Sequence, residues 1–127
     1  MNNPVLRALA ARPAHAAVLR GADGDWRAAD LLAQVEILAS RLAGCRVLAV
    51  LADNGPDWVM ADLAAMRAGK AHLPLPGFFS PDQMAHALAR TAADAVLTDQ
   101  PERIGALDLG FGITGTWRGM TLMRRVV

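Results

Sequence analysis

Tyrosine is absent from these 127 residues; lysine and cysteine occur once each, and serine twice. Each scarcity excludes something. The lone Cys45 cannot build an internal disulfide framework and suits a reducing cytosol. Thirteen basic side chains, twelve of them Arg, stand against 12 acidic ones for a net charge of +1. The excess of cations on which a general nucleic-acid binder relies is missing. With two serines there is no G-x-S-x-G elbow for a hydrolase; Ser40 falls inside a helical pattern and Ser80 at a helix start. No apolar run approaches the roughly 18 residues of a membrane span. Residues 1–11 lack the apolar block of a secretory signal, so a cytoplasmic protein is expected. Of the 54% hydrophobic residues, 26 are Ala, which leaves 42 larger apolar side chains, the core of an ordinary small domain.

The order of patterns predicts an α/β fold. A short helix over Pro4–Ala11 stops at Arg12-Pro13, because the residue before proline avoids helical geometry. Residues 16–20 and 26–28 read as two short strands around Gly21-Ala22-Asp23-Gly24-Asp25, a turn rich in residues that tolerate positive φ. Leu31, Val35, Leu38 and Leu42 repeat at helical spacing over residues 30–43, and Gly44 supplies a left-handed stop. Then three short apolar runs alternate with two helical ones. Residues 46–52 read as a central strand covered on both faces. Pro56 opens a helix to Ala68, ended by Gly69. Residues 72–75 form a strand stopped by Pro76-Gly77. Ser80-Pro81-Asp82-Gln83 is a capping box for a helix to Ala92, and residues 95–98 form the third strand. Strand, helix, strand, helix, strand with short links predicts a right-handed parallel βαβαβ unit in three layers, with a short N-terminal hairpin. Val59, Leu63, Met66, Met84 and Leu88 are its expected helix-to-sheet contacts. Residues 101–107 suggest one more short helix, the Gly-rich residues 108–119 a loop, and residues 120–127 a candidate strand.

Chemistry is sparse. The turn at Asp53-Asn54-Gly55-Pro56 holds no G-x-G-x-x-G, and Pro56 removes a backbone donor that would face a phosphate; helix capping explains it better. Gly112-Ile113-Thr114-Gly115-Thr116 resembles a phosphate loop only in composition, and no lysine follows it. His15, His72, His86 and Cys45 are scattered without ligand spacing. Asp23 and Asp25 belong to a turn, and Trp58, Phe78 and Phe79 are expected in the core. Phe79, just before the Ser80 cap, is placed to meet Met84 as a hydrophobic staple. No catalytic, cofactor-binding or metal-binding residue is therefore assigned.

Several stretches fall in a familiar order: Asp53-Asn54-Gly55-Pro56-Asp57-Trp58, Ala61-Asp62-Leu63-Ala64-Ala65, Ala68-Gly69-Lys70-Ala71, Pro74-Leu75-Pro76, Ser80-Pro81-Asp82-Gln83 and Val96-Leu97-Thr98-Asp99. Over residues 18–100, about two thirds of the chain, this resembles the N-terminal region of the AMP-forming acyl-CoA synthetase and ligase superfamily, the adenylate-forming enzymes. There a helix after "N-x-P-x-W" leads through "A-G" to "x-P-L-x-P", a "S/T-P-x-Q/E" helix start and a strand ending in Thr-Asp. Two departures stand out: Arg27-Ala28 replaces the usual Thr or Ser cap of the first long helix, and Phe78-Phe79 replaces a commonly polar stretch.

The resemblance implies an N-terminal α/β subdomain over residues 1–107, with residues 108–127 as a Gly-rich connector toward downstream parts. The implied parent is an ATP-dependent ligase that activates a fatty or aryl carboxylic acid as its acyl-adenylate and passes it to a thiol. ATP, Mg and CoA (or a carrier-protein thiol) are implied for that parent, and the remainder of the parent is the implied partner. The family's Ser/Thr/Gly loop with its Pro-Lys and its later motifs are not found here, so this part alone is expected to be inactive. Two other readings stay open at this point: a stand-alone scaffold domain derived from the fold, and a flavodoxin-like binding domain.

Overall fold

The structure, a computed structural model, describes residues 4–14, 16–21, 24–53 and 55–125. They divide into two compact units, Met1–Ala43 with Asn54–Gly69, and Gly44–Asp53 with Lys70–Val127. His15, Ala22, Asp23, Asn54 and residues 126–127 lie outside the described residues, and with them the centre of the expected hairpin turn and the end of the last expected strand.

The first unit contains helix α1 (Pro4–Ala11), the antiparallel strands β1 (Ala17–Gly21) and β2 (Gly24–Arg27), helix α2 (Ala28–Arg41) and helix α3 (Pro56–Ala68). The expected stripe of α2 is confirmed, since Leu31, Val35, Leu38 and Leu42 are all buried. Its N-cap, Arg27, makes no side-chain capping bond, so the departure at Arg27-Ala28 does leave that helix start without its cap. Helix α3 begins with Pro56 at its first turn and ends at Gly69, whose φ of 71° is left-handed. Arg67 on α3 and Glu36 on α2 pair at 2.7 Å. The buried face of α3 differs from the one expected. Met60, Ala61, Leu63, Ala64 and Ala65 are buried, while Val59 is only half-buried and Met66 is exposed. The spacing of Val59, Leu63 and Met66 picks out the larger side chains. The buried arc is instead centred on alanines, whose small size permits close approach.

The second unit is a five-stranded sheet in the order β4-β3-β5-β7-β6. Strands β3 (Val47–Leu51), β4 (Ala71–Pro74) and β5 (Ala95–Thr98) are parallel, with β3 central among them, as the βαβαβ reading requires. Helix α4 (Pro81–Thr91) starts at Ser80 with the complete capping box: the Gln83 N–H donates to Ser80 Oγ, and the Ser80 N–H donates to Gln83 Oε1 at 2.8 Å. Met84 and Leu88 from α4 and Ile104 from helix α5 (Pro101–Gly105) pack with Ala49, Leu51, Val96 and Met123 of the sheet. Leu48, Val50, Ala95 and Leu97, which point to the other face, are buried too, so β3 and β5 are covered on both sides.

One expectation is corrected here. Within the Gly-rich residues 108–119, strand β6 (Phe111–Trp117) replaces the expected loop, and it pairs antiparallel with β7 (Met120–Arg125). Trp117 faces Met120 across a two-residue turn in which Arg118 (φ 50°) and Gly119 (φ 78°) are both left-handed. That geometry matches the twist of a hairpin. Gly115 follows a register shift after Ile113, so this glycine marks a bulge inside a strand rather than a flexible link. Strand β7 then joins β5 antiparallel.

Candidate functional site

Parallel α/β sheets bind ligands beyond the carboxyl ends of their strands. The register sets Val50 beside Pro74 and Leu97, and Leu51 beside Thr98, so the loops after β3, β4 and β5 leave the same edge of the sheet. Asp53 and Asp99 are exposed there. Thr98 is fully buried, and its Oγ1 accepts the Gln100 N–H at 2.9 Å, which turns the chain into α5. Beyond β4, the Leu75 N–H donates to the Val50 carbonyl, extending the ladder by one bond before Pro76-Gly77 ends it.

The most developed feature of this edge is the loop after β4. The Phe79 N–H donates to the Pro76 carbonyl, closing a turn with Phe78 near its tip. Arg103 of α5 braces that turn from outside: Nη1 donates to Gly77 O at 3.0 Å and Nη2 to Phe79 O at 2.9 Å. Nη1 also reaches Gln100 Oε1 at 3.4 Å. Phe79 is half-buried against the cluster that holds Met84, which agrees with its expected role as a staple. Phe78 does not join the core: it is 85% exposed, and its ring meets Phe79 edge-on at 5.6 Å. Alongside lies a concavity of about 300 Å³ lined by Pro81, Met84, Glu102, Arg103 and Ala106. No pattern in the sequence points to Arg103, because its partners lie 24 and 26 residues away.

At the amino ends of the same strands the chemistry is structural. The Asp94 carboxylate accepts the N–H groups of Arg46 and Val47, each at 3.0 Å. Burial alone would raise its pKa. The Val47 and Arg46 N–H groups, its own N–H and the nearby Arg124 outweigh that, holding it below the ordinary carboxylate value. Burial pushes the Cys45 thiol up, with Arg124 opposing, Asp94 adding and Lys70 opposing; Cys45 is thus a protonated, sheltered side chain. Gly44 (φ 82°) leaves space that a Cβ would fill at 3.2 Å from the Arg124 guanidinium.

Residues 112–116 lie in β6, where Thr114 Oγ1 donates to the Leu122 carbonyl. Arg103 is committed to backbone carbonyls, and Pro56 has no N–H to offer. Ser80 is spent on its cap, and Ser40 Oγ donates to Ile37 O at 2.7 Å. His72 lies on β4 and His86 on the exposed side of α4. Among the described residues, no three His, Cys, Asp or Glu side chains converge to hold a metal ion, and no helix is long and apolar enough to cross a membrane.

Comparison with known proteins places this fold. A family model described as "AMP-binding enzyme" matches residues 5–112. Among solved structures, the Vibrio cholerae adenylation domain AlmE, bound to glycyl-adenosine-5'-phosphate, is 22% identical with a TM-score of 0.72, and the match covers 81% of this chain and 20% of that one. ATP-bound MatB from Rhodopseudomonas palustris is 20% identical with a TM-score of 0.71, over 84% and 23%. The Bacillus subtilis o-succinylbenzoate CoA synthetase MenE, bound to its acyl-adenylate, is 21% identical with a TM-score of 0.71, over 82% and 30%. The chain thus spans between a fifth and a third of the length of these structures. No curated protein matches it.

Proposed function

This chain belongs to the AMP-binding enzyme family, to its N-terminal region, and on that premise we propose that it is the first part of an ATP-dependent, AMP-forming acid–thiol ligase. The parent joins a carboxylic acid to ATP, releases pyrophosphate and passes the acyl group from the adenylate to CoA or a carrier-protein thiol. Its substrate is a fatty or aryl carboxylate, and it works in the cytoplasm. The observation that carries this reading is the family match over residues 5–112. Adenylate formation needs donors and cations, with Mg²⁺, around the charge that builds on the transferring phosphates. The single Lys70 precedes β4, and the Gly/Thr residues 112–116 lie within β6. The chain's part is therefore a packed α/β scaffold, and the phosphate chemistry belongs to the remainder of the parent.

Two measurements test this. Calorimetry of the isolated chain with ATP is expected to show no binding; micromolar affinity would overturn the division of labour. The intact parent is expected to exchange pyrophosphate into ATP when given its acid. A folded parent that stays silent across fatty and aryl acids would defeat the ligase reading.

A further inference from the structure

We propose that Phe78 is a preset docking anchor whose ring enters an apolar pocket in the remainder of the parent chain, held outward for that purpose by Arg103. The proposal rests on the reading of this chain as one part of a larger ligase. Phe78 is 85% exposed while its neighbour Phe79 is half-buried in the core. Tips of turns usually carry small or polar residues. This one carries an aromatic ring, on a turn closed by its own Phe79-to-Pro76 bond and braced at the backbone carbonyls before and after Phe78 by one guanidinium fork. The backbone that carries the ring is therefore held before anything meets it, and an anchor on a preorganised turn loses less freedom on docking.

The size of the feature selects the occupant. One ring buries about 150–250 Å², far below the roughly 1,200–2,000 Å² of a stable interface between separate molecules. A segment of the same chain needs no such area, because covalent connection supplies a high effective concentration. The relatives fit this, since the matched fold makes up only 20–30% of their chains.

The test uses the intact parent. Hydroxyl-radical footprinting read by mass spectrometry gives the oxidation rate of Phe78 in the folded enzyme relative to the same residue in the unfolded chain, with Phe79 as internal reference. A docked ring is expected to be protected at least about tenfold. A Phe78 rate within about twofold of the unfolded value overturns the proposal, as does protection that vanishes on dilution, which would mean that a second copy covers the ring. Arg103→Ala is expected to reduce the protection severalfold, and Arg103→Lys to restore little of it, since a single ammonium cannot copy the planar fork. Protection unchanged in Arg103→Ala overturns the role of Arg103. Pyrophosphate exchange by the same preparation separates the two readings. Exchange with an unprotected ring defeats the docking alone, and a protected ring without exchange defeats the ligase reading alone.

Discussion

The two sides of the sheet are built on opposite logics. Strands β4, β3 and β5 are parallel, short and linked over long distances, and β3 and β5 are buried on both faces. Strands β7 and β6 form a local hairpin, and β6 is an edge strand with Ile113 67% exposed. On the parallel side, stability comes from helices laid over apolar strands. On the hairpin side, it comes from a tight turn and a ladder. Mutations on the two sides should therefore carry different penalties.

The largest effect is expected on the parallel side. Leu88 is 1% exposed and packs from α4 onto the cluster that includes Ala49, Leu51 and Val96. Leu88→Ala should cost about 2–5 kcal/mol in chemical denaturation. A loss below about 1 kcal/mol would show that this helix does not anchor the sheet.

Next comes the seam between the two sides. Asp94 holds the start of β3 through its carboxylate, and its carbonyl accepts the Arg125 N–H from β7. Asp94→Asn keeps the shape but loses the charge, and should cost about 1–2 kcal/mol at pH 7. Because folding lowers the pKa of this carboxyl, its stabilisation is full above the unfolded value of about 3.9 and fades as pH falls through the folded one. The gap between wild type and variant should hold from pH 7 to about 5 and close below that. A gap that widens on acidification would reverse the assignment.

A smaller loss is expected at the start of α4. Ser80→Ala removes the acceptor for the Gln83 N–H and should lower stability by about 1 kcal/mol. No change in midpoint would mean that Gln83 alone holds that helix start.

The same contrast explains what the sequence reveals. The parallel strands are legible because Gly44, Gly55 and Pro76-Gly77 punctuate apolar runs too short for helices. Ser80 and Gln83 announce their helix in four residues. The hairpin hides for the converse reason: Gly112 and Gly115 lie inside a strand, and the turn uses Arg118 rather than Asn or Asp in a left-handed position. The buried face of α3 hides because Ala61, Ala64 and Ala65 share it with Met60 and Leu63, while the large Met66 lies outside it. At the candidate site, periodicity places both Phe78 and Phe79 near the core. Phe79 packs on the core cluster while Phe78 lies on a turn whose flanking carbonyls Arg103 holds, a long-range contact that no local pattern encodes.

The smallest effect tests the hairpin side directly. Ile113 lies on edge strand β6 opposite Met123, just before the register shift, and is largely exposed. Ile113→Thr keeps a β-branched side chain and removes little buried area, so stability should change by less than about 0.5 kcal/mol. Solution behaviour should change more, because an exposed apolar residue on an open edge invites pairing with another chain. Light scattering at rising concentration is expected to show less self-association for the Thr variant at unchanged melting temperature. If the variant instead loses more than about 1 kcal/mol, Ile113 is a packed residue in solution, and the hairpin is held by burial, as the parallel strands are.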